Sequence, residues 1–324
     1  MDSRKLKRSV RWHWLSVMFA SSTLWVGCAS TAIPVACDPP RSFSPDLPVH
    51  GISAHRGGVL GCPDNTLGAF QRAICLGVHQ IELDVRATAD AVLVVAHDNR
   101  MTGHGGQSVT ISQSTLAEVQ ALELGPCTEK RDCQQHIPTL EDVLAIMPTN
   151  IWINLDIKEN DPLVARLVAE TVAKLDRVDQ VIFGARAKAA PAVWQVERES
   201  GVTGWIGNMS RQLLRSQYID TTIASCDEFI QLTFLRGKPS RKTLDGLKQA
   251  GVHVNYSWLK EKDEEDLRDK LAPLLKRGVD FVLVDHVNPA MKIVESLGIS
   301  PVVPQWKGQP PFSCSALPQC LDNP

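Results

Sequence analysis

Four short apolar runs in this chain each end in ionisable residues, and that punctuation limits the folds open to it. Ile52-Ser53-Ala54 runs into His55-Arg56-Gly57, and Glu82 and Asp84 punctuate the run through Val85. Val92 to Ala96 stops at His97-Asp98, and Asn150 to Ile157 carries Asp156 and stops at Lys158. A run such as Val92-Leu93-Val94-Val95-Ala96 predicts a strand covered on both faces. When several parallel strands each deliver polar residues at their carboxyl ends, those residues gather on one rim. The pattern predicts an enzyme.

Strand and helix patterns alternate from residue 49 to about 302. Asn65 or Thr66 is placed to cap a helix carrying Leu67, Phe70 and Ile74. Thr139 with Asp142 three residues on forms a capping box, and Asp161-Pro162 opens a further helix. Repeated strand–helix units over roughly 250 residues match a (β/α)8 TIM barrel. A doubly wound open sheet would want Gly-x-Gly-x-x-Gly after its first strand, and His-Arg-Gly-Gly is not that motif. Residues 99–137 are too long for an ordinary connection and are expected to form an insertion after the third strand, Val92–Ala96, over the barrel mouth. Residues 303–324 form a short Cys-containing C-terminal tail, expected outside the barrel.

The amino terminus reads as a targeting segment. Arg4, Lys5, Lys7, Arg8 and Arg11 precede a short apolar stretch from Trp12 to Val26, so residues 1–27 are expected to be a signal peptide. Five basic residues against Asp2 leave with it, which takes the formal charge from −2 to −6. Neither value offers the basic field that nucleic acid binding requires. Trp25-Val26-Gly27-Cys28 resembles a bacterial lipobox with Cys28 as the lipidated residue, although Trp25 stands where Leu is usual. Residues 28–48, with five prolines, suit an extended tether between membrane and barrel. The expectation is a protein exported to the periplasm or lipid-anchored in the cell envelope, with simple secretion as the alternative. Eight further cysteines suggest disulfides, and the six-residue spacings of Cys127/Cys133 and Cys314/Cys320 suggest local pairs.

Glu82 and Asp84 lie two apart on a strand and so share a face, with Ile81, Leu83 and Val85 on the other. Two carboxylates inside a barrel are costly without positive charge between them, and a divalent cation supplies it. Asp156 repeats the geometry with Asn154 and Lys158 as a third ligand candidate. An all-oxygen set favours one hard cation, Ca²⁺ or Mg²⁺. His55 and His97, at the ends of strands flanking Glu82 and Asp84, offer a proton acceptor and a proton donor. Arg56 and Lys158 add the fixed positive charge expected opposite a phosphoryl group.

The order His55-Arg56-Gly57, Pro63-Asp64-Asn65-Thr66, Ala69-Phe70, Glu82-x-Asp84, Thr88-x-Asp90, His97-Asp98, Ile137-Pro138-Thr139-Leu140, Asp156-Ile157-Lys158 and Gly278-Val279-Asp280 through Asp285 closely resembles glycerophosphodiester phosphodiesterases from about residue 52 to 298. The resemblance implies a metal-dependent (β/α)8 barrel that hydrolyses small-molecule glycerophosphodiesters to an alcohol and glycerol 3-phosphate. It implies Glu82, Asp84 and Asp156 as metal ligands, His55 as general base, His97 as general acid, and Arg56 and Lys158 as the phosphate-binding pair. Asp64 and Asp156 stand where the family usually has Glu, Asp90-Ala91 where it has Asp-Gly, and Val284-Asp285 where it has Thr-Asp. Relatives that share Asp-Ile-Lys cleave lysophospholipids or sphingomyelin, so action on intact lipids is the alternative, with Tyr256 and Trp258 as candidate linings of an apolar entrance. A non-catalytic surface-binding lipoprotein is the reading from another class, and the retention of every candidate site residue speaks against it.

Overall fold

A computed structural model describes residues 42–58, 61–127, 134–185, 192–193, 195, 204–209, 215–233, 237–257 and 264–316. The expected signal peptide, Cys28, most of the expected tether, Cys37, Cys133, Trp258 and Cys320 lie outside the described residues.

Eight parallel strands close into a barrel: β1 (Gly51–Ala54), β2 (Gln80–Ala87), β3 (Trp152–Ile157), β4 (Val181–Ala185), β5 (Trp205–Asn208), β6 (Phe229–Thr233), β7 (His253–Ser257) and β8 (Phe281–Val284). Pairing runs in chain order, and β1 contacts both β8 and β2, which completes the ring. Alternation sorts each strand's residues between two environments. Ile81, Leu83 and Val85 of β2, and Ile153, Leu155 and Ile157 of β3, pack outward against the helices. The first such helix, α1 (Leu67–Cys75), is capped by Thr66, whose hydroxyl accepts the Ala69 N–H.

The barrel floor is aromatic. Trp152, Trp205, Phe229 and Phe281, the first residues of β3, β5, β6 and β8, form one buried cluster with Ile182 and Leu47. Phe43 lies against it, its ring 4.8 Å from Trp152 and 5.3 Å from Trp205, and the Trp152 indole N–H donates to the Pro48 carbonyl at 2.8 Å. Residues 43–48 therefore plug the floor instead of forming the end of a tether. Removing such apolar surface from water outweighs the extended freedom that proline-rich composition suggests.

A second expectation fails at Val92–Ala96. Leu93–Val95 is a strand, but it runs antiparallel to β2 and is not one of the barrel's eight. Only Thr88 to Val92 separates it from β2, and a parallel crossover needs a dozen residues or more. Since Val85 pairs with Ile157 of β3 on one side and Val95 on the other, the short strand occupies the edge of β2 beyond the end of β1. The insertion that follows it has a small core of its own, in which Val94, Ala96, Ile111, Val119, Leu122 and Ile137 are buried together.

Both local disulfide expectations are overturned. Cys127 is bonded to Cys62 and Cys314 to Cys75, with Cα separations of 4.0 and 5.4 Å; Cys226 is also disulfide-bonded. Tertiary packing, not spacing, brings these partners together. The insertion folds back onto the start of α1, where a Cβ at Gly68 would lie 2.4 Å from Cys127 Sγ and the Gly68 N–H donates to Gln135. The described part of the tail, to residue 316, packs outside the barrel: Trp306 donates to the Ile146 carbonyl, Asn150 exchanges hydrogen bonds with Val303 and Gln305, and Cys314 fastens to the last residue of α1.

Candidate active site

Glu82 and Asp84 face inward from β2, and cross-strand register sets Asp84 directly opposite Asp156 of β3. All three are buried, and each offers a carboxylate oxygen within 4.8 Å of the others. Lys158 Nζ reaches between two of them, 2.6 Å from Asp84 Oδ1 and 2.8 Å from Asp156 Oδ2. Arg56 follows β1 in a tight turn with φ 52°, ψ 29°, a left-handed conformation that costs a non-glycine residue about 1 kcal/mol. That turn aims the Arg56 N–H at Glu82 Oε2, 3.1 Å away, and sets the guanidinium Nε 3.2 Å from Asp84 Oδ2. Gly57, φ 90°, completes the turn because a Cβ there would meet Ala69 Cβ at 2.7 Å.

The electrostatics of the cluster are unbalanced. Three carboxylates face two cations, Arg56 and Lys158. Burial lifts the Asp84 carboxyl, but Lys158 and Arg56 outweigh it and hold the group below its ordinary range. Burial likewise opposes charge on Lys158, and Asp156 and Asp84 more than restore it. Glu82 is left without a matching charge: burial first, then Asp84, push it up to about 8. Asp156 Oδ1 is buried and accepts no hydrogen bond among the described residues. A buried set of hard oxygen donors with an unused oxygen and a charge deficit fits a divalent cation of the Ca²⁺ or Mg²⁺ kind.

Each histidine is oriented by a carboxylate. His55 Nδ1 lies 2.7 Å from Asp285 Oδ1, at the end of β8, which leaves Nε2 for the site. Burial pulls this imidazole down, but Asp285 and Glu82 overcome it and its pKa is raised. His97 Nδ1 lies 2.7 Å from Asp98 Oδ1, and the ring is 40% exposed. His97 reaches the rim because the antiparallel strand descends toward it: the Ala96 N–H donates to the Asp84 carbonyl at 2.9 Å. The rim thus gathers Glu82, Asp84, Asp156, Arg56 and Lys158 in direct contact, with His55 held beside them and His97 linked through the backbone.

Several participants were not singled out from sequence. Asn65, buried with φ 58°, donates from Nδ2 to Asp84 Oδ2 at 2.8 Å and accepts the Asp84 N–H through Oδ1. Its place after Pro63-Asp64, in a loop returning to the rim, was the available signal. Asp285 was visible as a strand-end carboxylate, but its partner is 230 positions away. Tyr256 does not line an entrance: it is fully buried among the outward-facing residues of β7.

The sequence pattern described as the glycerophosphoryl diester phosphodiesterase family matches residues 55–289. A probable glycerophosphodiester phosphodiesterase 2 from Mycobacterium tuberculosis is 38% identical over 270 residues, covering 79% of this chain and 92% of that protein. Human lysophospholipase D GDPD1 is 34% identical over 142 residues, 40% of this chain and 43% of that protein, so the match spans less than half of the relative. Among solved structures, a phosphodiesterase from Oleispira antarctica, in complex with the product sn-glycerol-3-phosphate, superposes with a TM-score of 0.58 at 18% identity, over 78% of this chain and 98% of that one.

Proposed function

Because this chain is an enzyme of the glycerophosphoryl diester phosphodiesterase family, we propose that it hydrolyses glycerophosphodiesters to an alcohol and glycerol 3-phosphate by histidine acid–base catalysis beside one divalent cation. The observation that carries the reading is the meeting of Glu82, Asp84, Asp156, Arg56 and Lys158 on the rim that His55 and His97 flank. Glu82, Asp84 and Asp156 would hold the cation, Ca²⁺ or Mg²⁺, which when bound offsets negative charge growing on the phosphoryl oxygens. Arg56 and Lys158 orient the phosphoryl group and neutralise its standing charge. His55, with Nδ1–H committed to Asp285, takes the proton of the attacking hydroxyl at Nε2. That hydroxyl is water, or a neighbouring glycerol OH, in which case water then opens the resulting cyclic phosphate to glycerol 3-phosphate. As the new P–O bond forms and the ester P–O bond breaks, His97 delivers a proton from Nε2 to the departing alkoxide.

Hydrolysis of glycerophosphocholine with and without chelator is the direct test. Chelation is expected to abolish turnover, and re-addition ranks Ca²⁺ against Mg²⁺. His97→Ala is expected to lower kcat roughly 10²–10⁴-fold, the usual range for a lost acid–base group; near-normal turnover removes His97 from the role. Action on intact lysophospholipids is the second reading, supported by the match to the human lysophospholipase D. Lysophosphatidylcholine turned over faster than glycerophosphocholine would favour it.

We also propose that the protein works outside the cytoplasm. The Cys62–Cys127 and Cys75–Cys314 bonds suit an oxidising compartment. Lipidation at Cys28 is the accompanying proposal, and an unmodified mature terminus beyond Cys28, read by mass spectrometry, refutes it.

A further inference from the structure

We infer that Arg86 is a positioning residue for His97, a brace that holds the proton donor's backbone in register with the end of β3. The inference rests on the reading of His97 as general acid. Arg86 is the next inward-facing position of β2 after Glu82 and Asp84, so a guanidinium stands one step above the carboxylates. Its fork is engaged with the protein on both sides. Nε and Nη2 both donate to the His97 carbonyl oxygen, at 2.8 and 2.6 Å, and Nη1 pairs with Glu159 Oε1 at 3.0 Å. Glu159 follows Lys158 directly and matches the charge of Arg86.

The brace is needed where it sits. The backbone ladder between β2 and the short antiparallel strand ends with the Ala96 N–H on Asp84. His97 lies one residue beyond that last rung, at the start of a long insertion. Asp98 fixes the ring; two donors converging on one carbonyl fix the backbone that carries it. Lys cannot reproduce that fork. A proton donor misplaced by about 1 Å loses on the order of 10²-fold in rate, so a brace at this carbonyl has leverage on catalysis without touching substrate.

The test compares two leaving groups. Choline from glycerophosphocholine departs as an alkoxide that needs a proton, whereas p-nitrophenol from glycerol 3-phosphate p-nitrophenyl ester departs unaided. For Arg86→Ala, kcat on glycerophosphocholine is expected to fall about 10–100-fold with KM changed less than about threefold, and the aryl ester to be hydrolysed within about threefold of the parent rate. Arg86→Lys is expected to fall between, and Arg86→Ala combined with His97→Ala to be no slower than His97→Ala alone. The ratio of the two rates is taken within one preparation, so a partly folded variant does not distort it. Equal losses on both substrates for Arg86→Ala, while His97→Ala is selective, would overturn the inference. If His97→Ala itself loses equally on both, the general-acid reading fails first.

Discussion

Asp285 and His55 form the contact on which the proposed proton acceptor depends. Asp285→Asn removes the charge that holds the His55 pKa up and loosens the tautomer that frees Nε2. A loss of roughly 10²-fold in kcat/KM is expected. With His55 as the proposed base its neutral form is the active one, so a lower pKa admits activity at lower pH, and the acid limb of the kcat/KM profile should move downward; an unmoved limb would contradict the role. Ala91 offers an opposite test. It closes the turn between β2 and the antiparallel strand with φ 59°, where glycine is the low-cost residue. Ala91→Gly is expected to raise stability by roughly 0.5–1 kcal/mol in urea denaturation with activity unchanged.

At the scale of elements, the residue before β2 is a buried imidazole that ties the segment following the last helix to the barrel. His79 accepts the Ile52 N–H at Nδ1 and donates from Nε2 to the Ser300 carbonyl. Burial lowers its pKa to about 4. The unfolded chain therefore takes up this proton first as pH falls. The contribution of this group is expected to be full above pH 6.5, to decline between 6.5 and 4, and to lose nothing more below 4. The loss is about 3 kcal/mol. Urea midpoints at pH 7 and 4.5 should record it, and His79→Gln, which keeps a donor and an acceptor without titrating, should flatten the difference.

For the whole molecule, the disulfides join parts that the strand ladder does not. Cys75–Cys314 spans 239 positions and fastens the tail to α1; Cys62–Cys127 fastens the insertion to the loop that supplies Asn65. Replacing Cys75 and Cys314 by Ser is expected to cost about 2–4 kcal/mol of stability while leaving kcat near parent, since neither residue approaches the rim. A large fall in kcat at temperatures where the variant is folded would show the tail to be coupled to the site.

The barrel and the clustering of most candidate site residues were legible in the sequence, because strand alternation and run-ending charges are local properties. Glu82 with Asp84, and Asn154 with Asp156 and Lys158, needed only a two-residue period to share a face. The direction of Leu93–Val95 was also encoded, in a five-residue link too short for a crossover, but an apolar run says nothing about which way it points. Partners were another matter. Asp285 on His55, Cys314 on Cys75, Phe43 on the barrel floor and Arg86 on the His97 carbonyl are contacts between distant segments. Closure of the sheet fixes their positions, and no local pattern of residues specifies them.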